Sequence, residues 1–347
     1  MELLINYWQP AVFSFLLALI FIKLALKLFP KWGLMDRPHL YGINRNPIPY
    51  YGGLTMFFAF IISVFAFVPL TGELIGLLIA GTLVVTLGFF DDLLNLSPVL
   101  RLFLQFVACL ILVVFGIGIL SINIPFFGVL DFSTPVVAGI MIFSGAFTVF
   151  WVMTILNSMN FIDGVSGLSS GVAFIAGMTI FLLSVNPSLH ENPEAQIAVG
   201  LIALIISMVS LAFFIFDFPR PKILMGDSGS TFLGFMIAAL AIFSGGKLAT
   251  AFLVLGIPIL DMVWVVLRRT LGGQKFWKGD LKHLHHRLLD LGFSQRKVVV
   301  MYLLVTAFFG FSAVMLVSSQ QKFFMLIALA VLMLLLASAL VFIPRKK

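Results

Sequence analysis

The sequence predicts an all-α polytopic membrane protein, and three observations carry that reading. Hydrophobic residues make up 61% of the 347 positions and charged residues only 10%. Apolar runs of about twenty residues, the length a helix needs to cross a bilayer, recur from one end of the chain to the other. Lysine and arginine gather in every second gap between those runs, as expected of a chain that crosses a lipid bilayer repeatedly. No window is polar and long enough to make a soluble domain, so residues 1–347 read as a single integral-membrane domain built of helices and short loops.

The runs lie near 9–29, 51–70, 74–90, 101–120, 136–156, 168–185, 195–215, 231–245, 249–267, 298–318 and 323–343, which makes eleven, or ten without the eighth. The first lacks a small-residue cleavage site and reads as a retained span rather than a signal peptide. Lys23 and Lys27, near its inner end, can reach the headgroups. The eighth is the weakest, because Gly226, Gly229, Gly234 and Gly245-Gly246 crowd it. Between the fourth and fifth runs, 121–135 alternates weakly and holds Phe127-Gly128 at its middle, the pattern of a small interfacial hairpin. The single cysteine, Cys109, sits in an apolar run, which excludes an intramolecular disulfide and points away from a thiolate metal site.

Topology also explains the net charge of +7 without nucleic acid, since the basic residues are spread over short loops. Lys31, Arg37 and Arg45 follow the first run, and Arg220 and Lys222 follow the seventh. After the ninth come Arg268, Arg269, Lys275, Lys278, Lys282, Arg287, Arg296 and Lys297, and Arg345-Lys346-Lys347 closes the chain. The alternate gaps hold just Lys247 and Lys322. The amino terminus is therefore expected outside and the carboxy terminus inside. That sorting puts Asp91-Asp92, Asn157 to Asp163, Asp217, Asp227 and the histidines of 283–286 on the cytoplasmic face. The outer gaps carry Glu73, Asp131, His190, Glu191 and Glu194 with no dense constellation, so the active site is expected at the inner leaflet.

Each polar constellation has a functional and a plainer reading. Asn157, Asn160 and Asp163 stand three apart, so a helix end would point them one way. Gly164, Gly167 and Gly171 then let the backbone turn and neighbouring helices approach. A polar helix end at the headgroups would look the same, but ionisable groups at membrane depth are kept mainly where they handle ions, protons or charged ligands. Asp91 and Asp92 repel each other and need a cation or base nearby, unless they are a charged helix terminus. Arg101, ten residues past Asp91, faces either a phosphate or the lipid headgroups. Gly226-Asp227-Ser228-Gly229-Ser230 precedes an apolar helix, whose free N–H groups favour an anion while Asp227 can hold a metal bridging to it. A plain N-cap would use Asp or Ser here too. Asp217 reads as structural. Asp261, alone in the ninth run after Ile257-Pro258-Ile259-Leu260, reads as a packing partner for the Pro258 break, the alternative being a supporting group behind the site. In His283-Leu284-His285-His286-Arg287, imidazoles among basic residues bind phosphate more naturally than zinc, which lacks a cysteine here and would be repelled. Carboxylates and an asparagine for a hard cation, with Arg, Lys and His for phosphate oxygens, form a phosphoryl-transfer inventory.

With those residues in place, the chain resembles the polyprenyl-phosphate N-acetylhexosamine-1-phosphate transferase family along most of its length. The likeness rests on Asp36-Arg37-Pro38, Asn46-Pro47-Ile48-Pro49 with Gly52-Gly53, Asp91-Asp92, Asn157-x-x-Asn160-x-x-Asp163-Gly164, Gly226-Asp227-Ser228-Gly229-Ser230 and His283-Leu284-His285-His286-Arg287, in family order. It implies a reaction at the cytoplasmic face in which a UDP-N-acetylhexosamine and a polyprenyl phosphate give polyprenyl-diphospho-N-acetylhexosamine and UMP, with magnesium, or manganese in its place. It implies Asp227 and Asn160 as metal ligands, Asp163 beside the diphosphate, and Asp91 and Asp92 beside the lipid phosphate, these three aspartates being the catalytic set. Arg101, Asn157 and Ser228 are implied on the substrate, and His283, His285, His286 and Arg287 on the nucleotide sugar. Relatives form dimers, which extends to this chain as an expected homodimer.

Two departures refine the resemblance. Relatives specific for the muramoyl-pentapeptide substrate carry a lysine soon after the paired aspartates and a different histidine loop, whereas this chain has Asn95 and His-Leu-His-His-Arg. That points to the branch using UDP-GlcNAc or a similar simple amino sugar for surface polysaccharide or teichoic acid. Relatives also often carry an aromatic residue, able to stack on uracil, where this chain has Leu224. On chemical grounds, the lipid phosphate is already an anion near neutral pH, so the barrier is mainly repulsion between two anions, which a cation and the basic residues lower. Direct displacement is expected, with Asp91 or Asp92 accepting a proton or positioning. A two-step route with Asp163 or Asp92 as nucleophile is the alternative. The rival readings are the muramoyl-pentapeptide enzyme and, from another class, a multispan anion transporter, which would show midplane charges and two similar halves. No internal repeat is visible.

Overall fold

A computed structural model describes residues 2–38, 45–189, 195–244, 248–273, 283–316 and 318–342. His190, Glu191, Glu194, Lys247, Lys275, Lys278, Lys282 and the closing Arg345-Lys346-Lys347 lie outside the described residues. Each of the eleven apolar runs overlaps a helix: α1 (Glu2–Leu28), α2 (Gly52–Phe67), α3 (Gly72–Leu94), α4 (Pro98–Val114), α5 (Ile142–Ile162), α6 (Leu168–Ser184), α7 (Ala195–Asp217), α8 (Gly226–Phe243), the pair α9 (Leu248–Val254) and α10 (Gly256–Leu271), then α12 (Gln295–Met315) and α13 (Ser319–Phe342). The short α11 (Leu284–Asp290) lies between α10 and α12. Among the described residues seven helices are long and apolar enough to cross a membrane, and the α9–α10 pair, bent by 80°, is an eighth candidate. Helices α2, α4 and α6 are apolar but shorter.

The helix ends follow local chemistry. Thr71 caps α3 by accepting from Leu74 N, and Ser97 caps α4 by accepting from Leu100 N with Pro98 at the first helical position. Helix α3 stops at Asn95, which takes a left-handed conformation (φ 51) that asparagine tolerates better than lysine would. The bend between α9 and α10 falls where Pro258 has no N–H to return to Val254, so the ladder cannot run through it.

The 121–135 segment is a hairpin, β1 (Ser121–Ile124) antiparallel to β2 (Gly128–Asp131), with Ile124 opposite Gly128. A second, smaller hairpin pairs β3 (Val136–Val137) with β4 (Ile140–Met141). It takes the first residues of the fifth run, so α5 begins at Ile142, and the purely all-α expectation is corrected by these four short strands. β-branched Val136, Val137 and Ile140 around a Gly139 turn suit a strand as well as a helix.

The larger correction concerns α8, the run the sequence made weakest. It is the most enclosed long helix of the bundle: 89% of its apolar window is buried, against 11% for α13. Helices α2, α3, α5, α6, α7 and α9 all pack on it. Its glycines are crossing points rather than breaks. A Cβ on Gly234 would lie 2.8 Å from Leu156 Cα, and one on Gly53 would lie 2.2 Å from Gly229 N. In lipid, where apolar surface gains nothing by association, close packing of small residues is what draws helices together.

Candidate active site

The site is organised by the way α8 begins. Gly226, at φ 74, turns the chain into the helix and leaves the first N–H groups without intrahelical acceptors. The Asp92 carboxylate supplies them: it accepts from Asp227 N at 3.0 Å, from Ser228 N at 3.3 Å and from the Tyr50 hydroxyl at 3.0 Å. The α8 N–H groups expected to face an incoming anion are therefore already facing one of the protein's own. Burial, then the charge of Asp92, raises the Tyr50 phenol above its ordinary range, which keeps it a donor.

Asp91 is one residue away and roughly 100° round the helix, so it meets different partners. Its Oδ2 lies 2.8 Å from Arg101 Nη1 and its Oδ1 accepts from Leu96 N at 3.0 Å. The same Arg101 nitrogen lies 3.1 Å from Asp227 Oδ2. Arg101 is thus the cation that the aspartate pair required, and it joins α4 to α8. Asp91 is buried, whereas the Asp227 side chain keeps 31% of its surface open and is the carboxylate available to a ligand. A groove beside them is lined by Asp91, Arg101, Gln105, Asp227 and Thr231 over Gly88.

The three residues at the end of α5 share a face but are claimed by three neighbours. Asn157 donates to Gln105 Oε1 of α4 at 3.0 Å and to Met153 O at 2.8 Å. Asn160 donates to Ser230 Oγ at 3.0 Å, about one turn of α8 past Asp227. Asp163, just past the helix, accepts from Ser169 Oγ of α6. Burial, then the nearby charge of Asp217, holds the Asp163 carboxyl well above the usual carboxylate range. Asp217 is structural, as read: it accepts from Gly167 N at 2.6 Å and Ser170 Oγ at 3.3 Å, and so fixes the turn that follows Asp163.

The other wall is the histidine segment. His285 and His286 close over Gly164, where a Cβ would lie 3.2 Å from His285 Nε2 and 3.4 Å from His286 Nε2. His285 is fully buried, and burial with its two histidine neighbours pushes it down to about 2, so its imidazole is neutral at physiological pH. Both His285 nitrogens are buried without a protein partner. His283 Nδ1 lies 3.1 Å from Asp261 Oδ2, which corrects the reading of Asp261 as a packing partner at the proline break. His286 and Arg287 are half-buried beside them. Ser228 departs from its expected place on the substrate: its hydroxyl is buried without a partner, and its backbone lies against Gly88 of α3.

Among the described residues no three His, Cys, Asp or Glu side chains gather closely enough to hold a metal by themselves. The donor set nevertheless suits a hard divalent ion that uses one or two protein oxygens and fills its shell with water and phosphate. Asp227, partly open, could supply those oxygens, with Asn160 held on Ser230 about one turn away. Gln105, Tyr50 and Ser169 escaped sequence reasoning. Gln105 alone left a signal, since it stands four residues after Arg101 on one face of α4.

Comparison with known proteins places the chain among sugar-phosphate transferases by sequence. The family model described as glycosyl transferase family 4 matches residues 74–245, which hold the paired aspartates, the end of α5 and the start of α8. A "probable undecaprenyl-phosphate N-acetylglucosaminyl 1-phosphate transferase" of Bacillus subtilis is 27% identical over 318 residues, covering 90% of this chain and 85% of its own. A decaprenyl-phosphate N-acetylglucosaminephosphotransferase of Mycobacterium tuberculosis is 30% identical over 79% of this chain and 73% of its own. An undecaprenyl-phosphate alpha-N-acetylglucosaminyl 1-phosphate transferase of Escherichia coli K12 is 30% identical over 84% and 79%.

Proposed function

The chain belongs to glycosyl transferase family 4, and from that premise we propose that it transfers N-acetylglucosamine 1-phosphate from UDP-GlcNAc to undecaprenyl phosphate in the bacterial cytoplasmic membrane. The products are undecaprenyl-diphospho-N-acetylglucosamine and UMP, which makes this the first membrane step of a surface polysaccharide or teichoic acid. The observation that carries the reading is the convergence of Asp91, Asp92, Asn160, Asp163 and Asp227 with Arg101 at one end of a helical bundle. The relatives that match most of the chain carry names for N-acetylglucosamine 1-phosphate transfer to undecaprenyl or decaprenyl phosphate, which supports this reading.

All eleven helical passes are counted as spans in this reading: the seven long helices, the bent α9–α10 pair and the three shorter apolar ones. The amino terminus is outside, the carboxy terminus inside and the site cytoplasmic, on the strength of the Lys and Arg distribution.

The reaction is a displacement at the sugar-bearing phosphorus. An oxygen of the lipid phosphate attacks, the bond to the UMP oxygen breaks, and UMP leaves with the bonding electrons. Arg101, held between Asp91 and Asp227, presents a guanidinium to phosphate oxygens from the groove side. Asp91, buried on Arg101, is placed to orient it. Asp92, occupied by three donors, acts by positioning Asp227 rather than as a nucleophile. Asp163, protonated more readily than an ordinary carboxyl, can donate to a diphosphate oxygen or take up a proton. Magnesium, held by Asp227 with Asn160 as its neighbour, would supply charge neutralisation between the two anions. The test is conversion of labelled UDP-GlcNAc and undecaprenyl phosphate by the purified protein with and without magnesium, scoring UMP and lipid-linked sugar. Magnesium-dependent appearance of both is expected; neither product from folded protein overturns the reading.

A further inference from the structure

Asp261 stands apart from the carboxylates that meet at α8. It lies in α10, three residues past Pro258, and is only 3% exposed. An isolated carboxylate inside a membrane helix is costly unless it is paired or functional. Both of its oxygens are engaged, and both by the histidine segment: Oδ2 lies 3.1 Å from His283 Nδ1, and Oδ1 accepts from Leu284 N at 2.9 Å. We propose that Asp261 is a positioning residue that holds residues 283–287 against the Asp163–Gly164 turn and thereby sets the affinity for the nucleotide sugar. The identity of that ligand rests on the function proposed above.

The local structure shows why such a brace is needed. Helix α11 has seven residues, too few to be stable alone. Its N-cap residue, His283, makes no side-chain cap of its own, so the first free N–H of the helix is taken by Asp261 instead. The tautomer that pairs with an ionised Asp261 carries its proton on Nδ1, which fixes the plane of the ring. From there the contacts run toward the site. The His283 ring lies parallel to that of His285, 5° apart with centroids 5.6 Å apart, and packs 5.1 Å from Phe161 of the last turn of α5. The Arg269 guanidinium sits 6.0 Å from the same Phe161 ring. His285 and His286 in turn meet the chain at Gly164, next to Asp163.

This half of the site is built from α5, α10 and α11, whereas Asp91, Asp92 and Arg101 come from α3 and α4. A fault in the brace should therefore be felt by one substrate more than by the other.

The experiment is a pair of titrations on the purified full chain, one of UDP-GlcNAc and one of undecaprenyl phosphate. Asp261→Asn is expected to raise KM for UDP-GlcNAc about tenfold and to move KM for the lipid less than about twofold. Combining it with His283→Ala should add no further loss, because the carboxylate acts through that ring. Equal shifts in both KM values, no shift, or losses that multiply would overturn the proposal. If Asp261→Asn does not fold, His283→Asn, whose amide can still donate to Asp261, should raise KM for UDP-GlcNAc several-fold less than His283→Leu does; equal behaviour of the two overturns it. Hydrogen exchange at the Leu284 amide separates this proposal from the proposed function. Wild-type protein that turns over nothing removes the function, yet faster Leu284 exchange in Asp261→Asn still supports the brace, and unchanged exchange removes it.

Discussion

Two helix starts meet at the candidate site, and each is held by an aspartate from another helix. Asp92 of α3 accepts from two N–H groups of α8, and Asp261 of α10 accepts from one N–H of α11 and from His283. They differ in what else secures them. The start of α8 is pressed backbone to backbone, with Gly53 and Gly88 so near Gly229 and Ser228 that no Cβ fits. The start of α11 hangs from side chains. The first should be intolerant of added volume and forgiving of a lost hydrogen bond, and the second the reverse.

Four substitutions at the α8 start bear on that contrast. The largest effect belongs to Asp227→Ala, which removes what the α8 start presents to a ligand. Turnover should fall by about a thousandfold or more, while detergent-phase thermal unfolding stays near wild type. Wild-type turnover would remove Asp227 from the site. Gly53→Ala comes next. Its Cβ would sit 2.2 Å from Gly229 N, and overpacking of this kind costs about 1–3 kcal/mol. Melting temperature and activity should fall together, the latter by about a hundredfold if α8 is displaced. A variant that melts like wild type would show that the contact is not tight.

Tyr50→Phe removes one of three donors to Asp92 without adding volume. A hydrogen bond to a charged group contributes about 1.5–3 kcal/mol, but the two backbone donors stay, so turnover should drop no more than about tenfold. A collapse as deep as that of Asp227→Ala would make the phenol a participant in the chemistry. The smallest effect is expected from Ser228→Ala. The hydroxyl is buried and unpartnered, so its loss should leave activity within about twofold and stability equal or slightly higher. A marked rise in KM for either substrate would restore Ser228 to the substrate-binding set.

The sequence revealed most of the spans because a bilayer imposes length and apolarity on each one separately. It misjudged α8 because a helix enclosed on every side has no amphipathic stripe, and its glycines look like breakers unless the partner helices are known. The motif residues were visible as types, but their division of labour was not. Asp92 meets Tyr50 across 42 positions and Asp227 N across 135, and no local pattern encodes such pairs. Asp91 and Asp92 looked equivalent in the chain, yet one turns to Arg101 and the other to α8. Asp261 was noticed beside Pro258, its neighbour in sequence, whereas its partner lies 22 residues on. Ser228 failed for a simple reason: a serine in a Gly-Asp-Ser-Gly turn reads as a ligand, and only the packing of the folded chain shows that this hydroxyl is buried.

The hydrogen-bonded knot of Tyr50, Asp92 and Asp227 also has a bearing on biogenesis. When a ribosome has delivered the first four helices, Asp91 and Arg101 can already pair, but Asp92 still lacks the two N–H groups of residues 227 and 228. Until α8 is threaded between helices that are already in place, that carboxylate must stay at the water-facing rim. A chain that stopped before residue 226 would carry half a site, with nothing to meet the Asp92 carboxylate or to pair Arg101 a second time.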